Sequence, residues 1–139
     1  MRNLARAQGT FYVLNGLWPL LHMRSFEAVL GPKVDHWLVN TVAGLLVTNG
    51  IVQLRAATSG DLRTARLIGV GTAGTLAAID VRYAVTGRIS KVYLVDAVLE
   101  AFWLAGWFAP RADRALEPAG PTRLGNAARS RRARRPASP

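Results

Sequence analysis

The sequence predicts an all-α protein: an antiparallel bundle of four transmembrane helices with a disordered basic C-terminal tail. Three observations predict it. Trp37–Leu54 runs eighteen residues without a charged side chain. At about 1.5 Å per residue, a helix of that length reaches roughly 27 Å, close to the hydrocarbon thickness of a bilayer. Turn signals at Gly31-Pro32, Thr58–Asp61 and Gly87 divide residues 10–109 into four segments of helical length. Finally, the basic residues are shared unequally between alternate loops, as in a membrane protein of fixed orientation.

The 139 residues leave room for one domain. Half are hydrophobic, yet mean hydropathy is only mildly positive, because a polar, basic tail dilutes an apolar body. Net charge is +10, and eight arginines lie beyond Ala109, so most of the charge belongs to the tail. There is no cysteine, which excludes disulfides, thiolate chemistry and zinc-thiolate sites. Sixteen Arg against two Lys, with abundant Ala, Gly and Val, is the composition of a high-GC bacterial genome. Arg2 and Arg6 precede an apolar run as in a signal peptide. That run continues into Pro19, His22 and Arg24 without a small-residue cleavage site, which favours an uncleaved first helix.

Residues 1–9 read as a short cytoplasmic lead, with spans near 10–30, 37–54, 65–86 and 91–109 and the tail over 110–139. In the first span, Pro19 frees the carbonyl of Asn15 and predicts a kink. Gly31-Pro32 stops that helix and Asp35 is placed to cap the next. Ser59 or Asp61 is the expected cap of the third helix, and Ser90 of the fourth. The third has only thirteen uncharged residues, Leu67–Ile79, before Asp80 and Arg82. It spans only if Asp80 faces other helices and Arg82 reaches the interface. Gly69, Ala73, Ala77 and Asp80 share a face whose small residues admit a close neighbour. Gly69–Gly74 matches G-x-G-x-x-G, but no strand precedes it, so helix packing is favoured over dinucleotide binding. Trp18, Trp37, Trp103, Trp107, Tyr83 and Tyr93 lie mostly near expected helix ends, as interfacial aromatics do. Residues 110–139 have little beyond Leu116 and Leu124 to bury, and disorder is expected.

With the N-terminus inside, the inner segments hold thirteen basic residues and the outer loops three, Lys33, Arg88 and Lys91. That is the direction of the positive-inside rule, and it survives removal of the tail, at five against three. Both termini are therefore expected in the cytoplasm, in a bacterial inner membrane. The same orientation puts His22, Arg24, Glu27, Asp80, Arg82, Asp96 and Glu100 in the outer half of the bundle. Asp96 and Glu100 are one helical turn apart, on one face, with Trp103 and Trp107 continuing the stripe inward. A charge at the bilayer centre costs about 2.5–3.5 kcal/mol on insertion scales. Either Arg24, Arg82 or His22 neutralises these carboxylates, or some keep a proton, since burial disfavours the charged form. Both arrangements make an outward-opening polar pocket with Glu27, Asp80, Asp96, Glu100, His22, Arg24, Arg82 and Trp103 as its ligand-binding residues. Interhelical ion pairing accounts for the same residues without a ligand.

The segment Phe26-Glu27, Gly31-Pro32-Lys33, Asp35 and Trp37-Leu38-Val39 resembles a motif of small, uncharacterised four-helix membrane proteins of bacteria. The resemblance covers residues 10–109. It implies a multi-pass membrane protein and brings no activity. Glu27, Lys33 and Asp35 would be the chemical part of such a motif; a helix stop, a turn and a cap explain them equally.

The expected function is a non-enzymatic membrane module that binds a partner, a second copy of itself or a small lipophilic ligand. The alternative is an isomerase-like intramembrane enzyme or a proton-coupled carrier using the buried carboxylates. No nucleophile–base pair, phosphate loop or metal-ligand spacing supports catalysis, so no catalytic residue, cofactor or metal is assigned. The Arg129–Arg135 run has no aromatic interleaving, which disfavours nucleic acid. Beside a membrane it would attract anionic lipid head groups.

Overall fold

A computed structural model describes residues 1–109, and these form four α-helices with no strand. They are α1 (Arg2–Leu30), α2 (His36–Ser59), α3 (Leu62–Val85) and α4 (Tyr93–Phe108). The all-helical class and the four helices are those the sequence predicts. The expected tail, 110–139, lies outside the described residues. Among those described, α2 alone is long and apolar enough to cross a membrane. α4 has 16 residues, about 24 Å of helix.

The boundaries differ from expectation at one important place. Residues 1–9 are not a lead: α1 begins at Arg2. Ala5, Gln8 and Gly9 extend backward the stripe formed by Tyr12, Gly16 and Pro19, and all six are buried. A stripe at three- and four-residue intervals is one helix face, so packing carries the helix to its first residues. α4 starts at Tyr93, two residues later than expected, after a turn in which Ser90 Oγ accepts from Val92 N at 3.3 Å.

The break in α1 also moves. Backbone angles leave the helical region at His22 (φ −148°, ψ 69°), three residues beyond Pro19. A new helical segment starts there with its own caps. The N–H of Ser25 donates to His22 Nδ1 at 3.2 Å, Ser25 Oγ donates to the His22 carbonyl at 3.0 Å, and Trp18 Nε1 donates to Ser25 Oγ at 2.8 Å. α1 ends at Gly31, where φ is +85°, a conformation that favours glycine. Asp35 starts α2 through its backbone carbonyl, which accepts from Leu38 and Val39, and not through its carboxylate. α3 has a true side-chain cap. Asp61 Oδ1 accepts from Thr64 N at 3.1 Å, and hydrogen bonds from Thr64 hold that carboxyl below its usual range.

α1 and α3 lie at the centre and each touches the other three helices, while α2 and α4 do not meet. The closest approach is between α1 and α2. A Cβ on Gly16 would stand 2.6 Å from the Ala43 carbonyl oxygen, and one on Gly50 would stand 2.6 Å from that of Gly9. Side chains are distributed inside out. The buried residues are mostly Ala and Gly, with Gln8, Gln53, Asp80 and Glu100 among them, and Tyr12 and Trp107 are the only large apolar ones described. Leu14, Leu21, Leu45, Leu67, Val98 and Phe102 all point outward.

The glycines divide into packed and open positions, which gives a direct test of the helix contacts. Gly16→Ala is expected to destabilise the bundle by about 1–3 kcal/mol through overpacking. Gly44 has nothing within 4 Å of an added Cβ, so Gly44→Ala should be neutral or stabilising by up to about 1 kcal/mol through helix propensity. Thermal or denaturant unfolding followed by circular dichroism checks both.

Candidate functional site

One side chain joins all four helices. Gln8, on α1, is fully buried and has every amide valence filled. Its Oε1 accepts from Gln53 Nε2 of α2 and from Trp107 Nε1 of α4, each at 2.7 Å. Its Nε2 donates to the Gly69 carbonyl of α3 at 3.1 Å and to Tyr12 Oη at 3.0 Å. Gly69 must be glycine for this: a Cβ there would strike Gln8, Gln53 and Trp107. Of the three glycines in the G-x-G-x-x-G match, only Gly69 packs in this way. Gly71 and Gly74 have open space beside them.

The network continues toward the other end of the bundle. Tyr12 Oη donates to Glu100 Oε2 at 2.7 Å, a hydrogen bond to a carboxylate buried on all sides. One turn away on α4, the Asp96 carboxyl interacts with that of Asp80 on α3. Asp80, Asp96 and Glu100 are thus brought to one region, as their spacing predicts. Two of their oxygens, Asp80 Oδ2 and Glu100 Oε1, are buried with no hydrogen-bond partner, and so is Trp103 Nε1. Trp103 is half-buried, with its ring against Phe11 and Phe102.

The other predicted pocket residues are elsewhere. Glu27 closes the α1–α2 turn: its Oε1 accepts from Lys33 N and meets His36 Nε2, both at 2.8 Å. Lys33 Nζ donates to the Leu30 carbonyl and lies 4.8 Å from the centre of the Tyr93 ring. Partial burial pushes the Lys33 ammonium below the usual lysine range, and Glu27 opposes that shift. His22 forms the kink cap, and His22, Arg24 and Arg82 are exposed. Among the described residues, the one close contact between a basic and an acidic side chain is Glu27–His36, so neither Arg24 nor Arg82 pairs with the buried carboxylates. Nor is any group of three His, Cys, Asp or Glu arranged to hold a metal ion.

A groove of about 450 Å³ opens between α2 and α3, lined by Leu45, Asn49, Leu67, Gly71, Thr72 and Thr75 among others. Its wall is apolar apart from a few uncharged groups, and Asn49 Nδ2 donates to Thr72 Oγ1 there at 3.2 Å. None of the acidic residues lines it. Comparison with models of protein families, with curated proteins and with solved structures finds no match for this chain.

Sequence reasoning missed Gln8, Tyr12's link to Glu100, Gln53 and the hydrogen bond from Trp107 to Gln8. The signal was present in the spacing of Ala5, Gln8, Gly9 and Tyr12, and in Gln53 as a lone amide at the end of an apolar run. Trp107, expected on the Asp96–Glu100 stripe and also among the interfacial aromatics, is 2 % exposed and hydrogen-bonded in the core.

Removing one member should leave buried partners orphaned. Gln8→Leu takes four hydrogen bonds from the interior and is expected to cost more than Tyr12→Phe, which deprives Glu100 of its donor at about 1–3 kcal/mol. Gln8→Leu should also shift Trp107 fluorescence as its indole N–H loses its partner. Equal and negligible changes in unfolding midpoint for both variants would contradict the network.

Proposed function

We propose that this protein is a four-span module of the bacterial inner membrane, with both termini cytoplasmic, that binds a membrane partner or a lipophilic ligand without catalysing a reaction. The observation that carries this reading is the inside-out distribution of side chains. Twenty-one large hydrophobic residues face outward, while the interior is small and polar. In water such a surface would drive aggregation, since soluble monomers rarely expose apolar patches beyond a few hundred Å². In a bilayer the same surface meets lipid, and helix association rests on close backbone approach and interhelical hydrogen bonds. The Gly16–Ala43 and Gly9–Gly50 contacts and the Gln8 network supply both.

The more polar α1 and α3 and the short α4 fit such a setting because their charges and amides face other helices or stand near helix ends. Asp80, Glu100, Gln8 and Gln53 are buried, and Arg24 and Arg82 are exposed within one helical turn or two of an outer loop. The ligand or partner surface that the geometry favours is the groove between α2 and α3, because it is apolar and open. The carboxylate cluster lies inside the bundle, away from that groove. The Arg129–Arg135 run would hold anionic head groups at the cytoplasmic face, at about 1 kcal/mol per basic residue.

The lack of native cysteine makes topology directly measurable. Single cysteines at Val34 or Ser90 should react with an impermeant maleimide added to intact cells. Cysteines at Thr58 or in the tail should react only after the cells are opened. A chain that stays monomeric in detergent-free buffer would defeat the membrane reading, and external labelling of Thr58→Cys would reverse the orientation. For the groove, Gly71→Leu should reduce cross-linking of the protein to a photoactivatable lipid while leaving its unfolding midpoint within about 0.5 kcal/mol of wild type.

A further inference from the structure

We propose that Asp80, Asp96 and Glu100 form a proton-binding site inside the bundle, so that the ligand taken up by this cluster is the proton itself. The acidic residues alone do not argue this. What does is the unfinished hydrogen bonding around them. Asp80 is 4 % exposed and Glu100 is fully buried, and each has an oxygen with no partner. A buried acceptor with no donor loses its interaction with water and gains nothing in return.

No nearby group completes it. Tyr12 already gives its proton to Glu100 Oε2. Both amide hydrogens of Gln8 are spent on Tyr12 and Gly69. No Lys, Arg or His pairs with any of the three acids among the described residues. The titratable groups that face the cluster are Tyr12 from α1, Asp80 from α3, and Asp96 and Tyr93 from α4. The buried face of α2 is Ala43, Gly50, Gln53, Ala56 and Ala57, none of which ionises. Lys33 Nζ lies 4.8 Å from the centre of the Tyr93 ring but pairs with none of the three acids, so among the described residues no positive charge is paired with them.

A metal ion needs several oxygens converging on one point, and these acids are not so arranged. A proton needs one oxygen, and it turns an orphaned acceptor into a donor. Between the facing carboxyls of Asp80 and Asp96, a single proton makes one O–H···O bond and removes a like-charge contact. On Glu100 a proton on Oε1 leaves Oε2 free to keep accepting from Tyr12. Uptake forms an O–H bond at the carboxyl with the proton drawn from water; release returns it, and no electron transfer is involved.

This goes beyond the membrane-module reading and depends on the bundle interior, not on where the bundle resides. The test is reaction of the full-length protein, in detergent micelles, with dicyclohexylcarbodiimide, which modifies protonated carboxyls in apolar surroundings. Adducts mapped by peptide mass spectrometry are expected on Glu100 and on Asp80 or Asp96. Their yield should fall about tenfold per pH unit above the midpoint of a titration run between about pH 5 and about pH 9. Infrared spectra over the same range should show a protonated-carboxyl carbonyl band that disappears as pH rises. Glu100→Gln should remove part of it, and Tyr12→Phe should shift it. Absence of adducts on all three acids, or a yield and band that do not change with pH, would overturn the proposal. The wild-type measurement needs no variant, so a Glu100→Gln protein that fails to fold does not weaken it. Topology labelling is independent of this result, so the two readings can fail separately.

Discussion

The Gln8 side chain is the constraint on which the rest of the bundle depends. An amide has two donors and two acceptor sites, and here all are used, with one partner on each of the other three helices and one on its own. Few other side chains could do this. A leucine would fill the space but leave Gln53, Trp107 and the Gly69 carbonyl unpaired. A glutamate would offer no donor to Gly69 or Tyr12. The requirement then spreads to its surroundings: Gly69 lacks a side chain so that three polar groups can meet over it, and the apolar end of the core, Ala5, Ala56, Ala57 and Ala65, closes beneath Trp107.

The small-residue interior has the same origin. Polar groups can bond across helices only when the backbones are close, and Gly9, Gly16 and Gly50 let α1 and α2 approach to contact of backbone atoms. Bulky apolar groups are therefore displaced outward. In a soluble bundle the Leu and Phe residues would fill the interior and the amides would face water. The order here is reversed, as the proposed membrane setting requires.

How much of this was legible varies with the kind of signal. The four helices were legible because Gly31-Pro32, Gly60-Asp61 and Gly87 are strong local stops and because the segments between them have helical length. The inward direction of Asp80 was legible from Gly69, Ala73 and Ala77 on its face. The shared depth of Asp80 and Asp96 was legible from their places near the same end of their helices; that their side chains meet was not. Gln8 was not legible as a hub, because an uncharged amide in a basic N-terminal stretch resembles a solvated lead, and its partners come from positions 53, 69 and 107. The grouping of Glu27 with the other acids failed for a local reason: the turn after Gly31 brings Lys33 N and His36 back onto its carboxylate. The Pro19 kink was expected from the missing N–H, but its position was set by His22, Ser25 and Trp18, whose mutual caps no propensity describes.

The way Gln8 is bonded also orders the chain's assembly. α1 and α2 meet through glycines and can pair as soon as both have been synthesised. α3 brings the Gly69 carbonyl, yet the second donor to Gln8 Oε1 arrives only with Trp107, in the last turn of α4. Until then the first helix contains an incomplete amide, and every intermediate during translation is less tightly fastened than the finished molecule. The last turn of α4 is the latch, and a chain that lacks it leaves a bundle that is gathered but not locked.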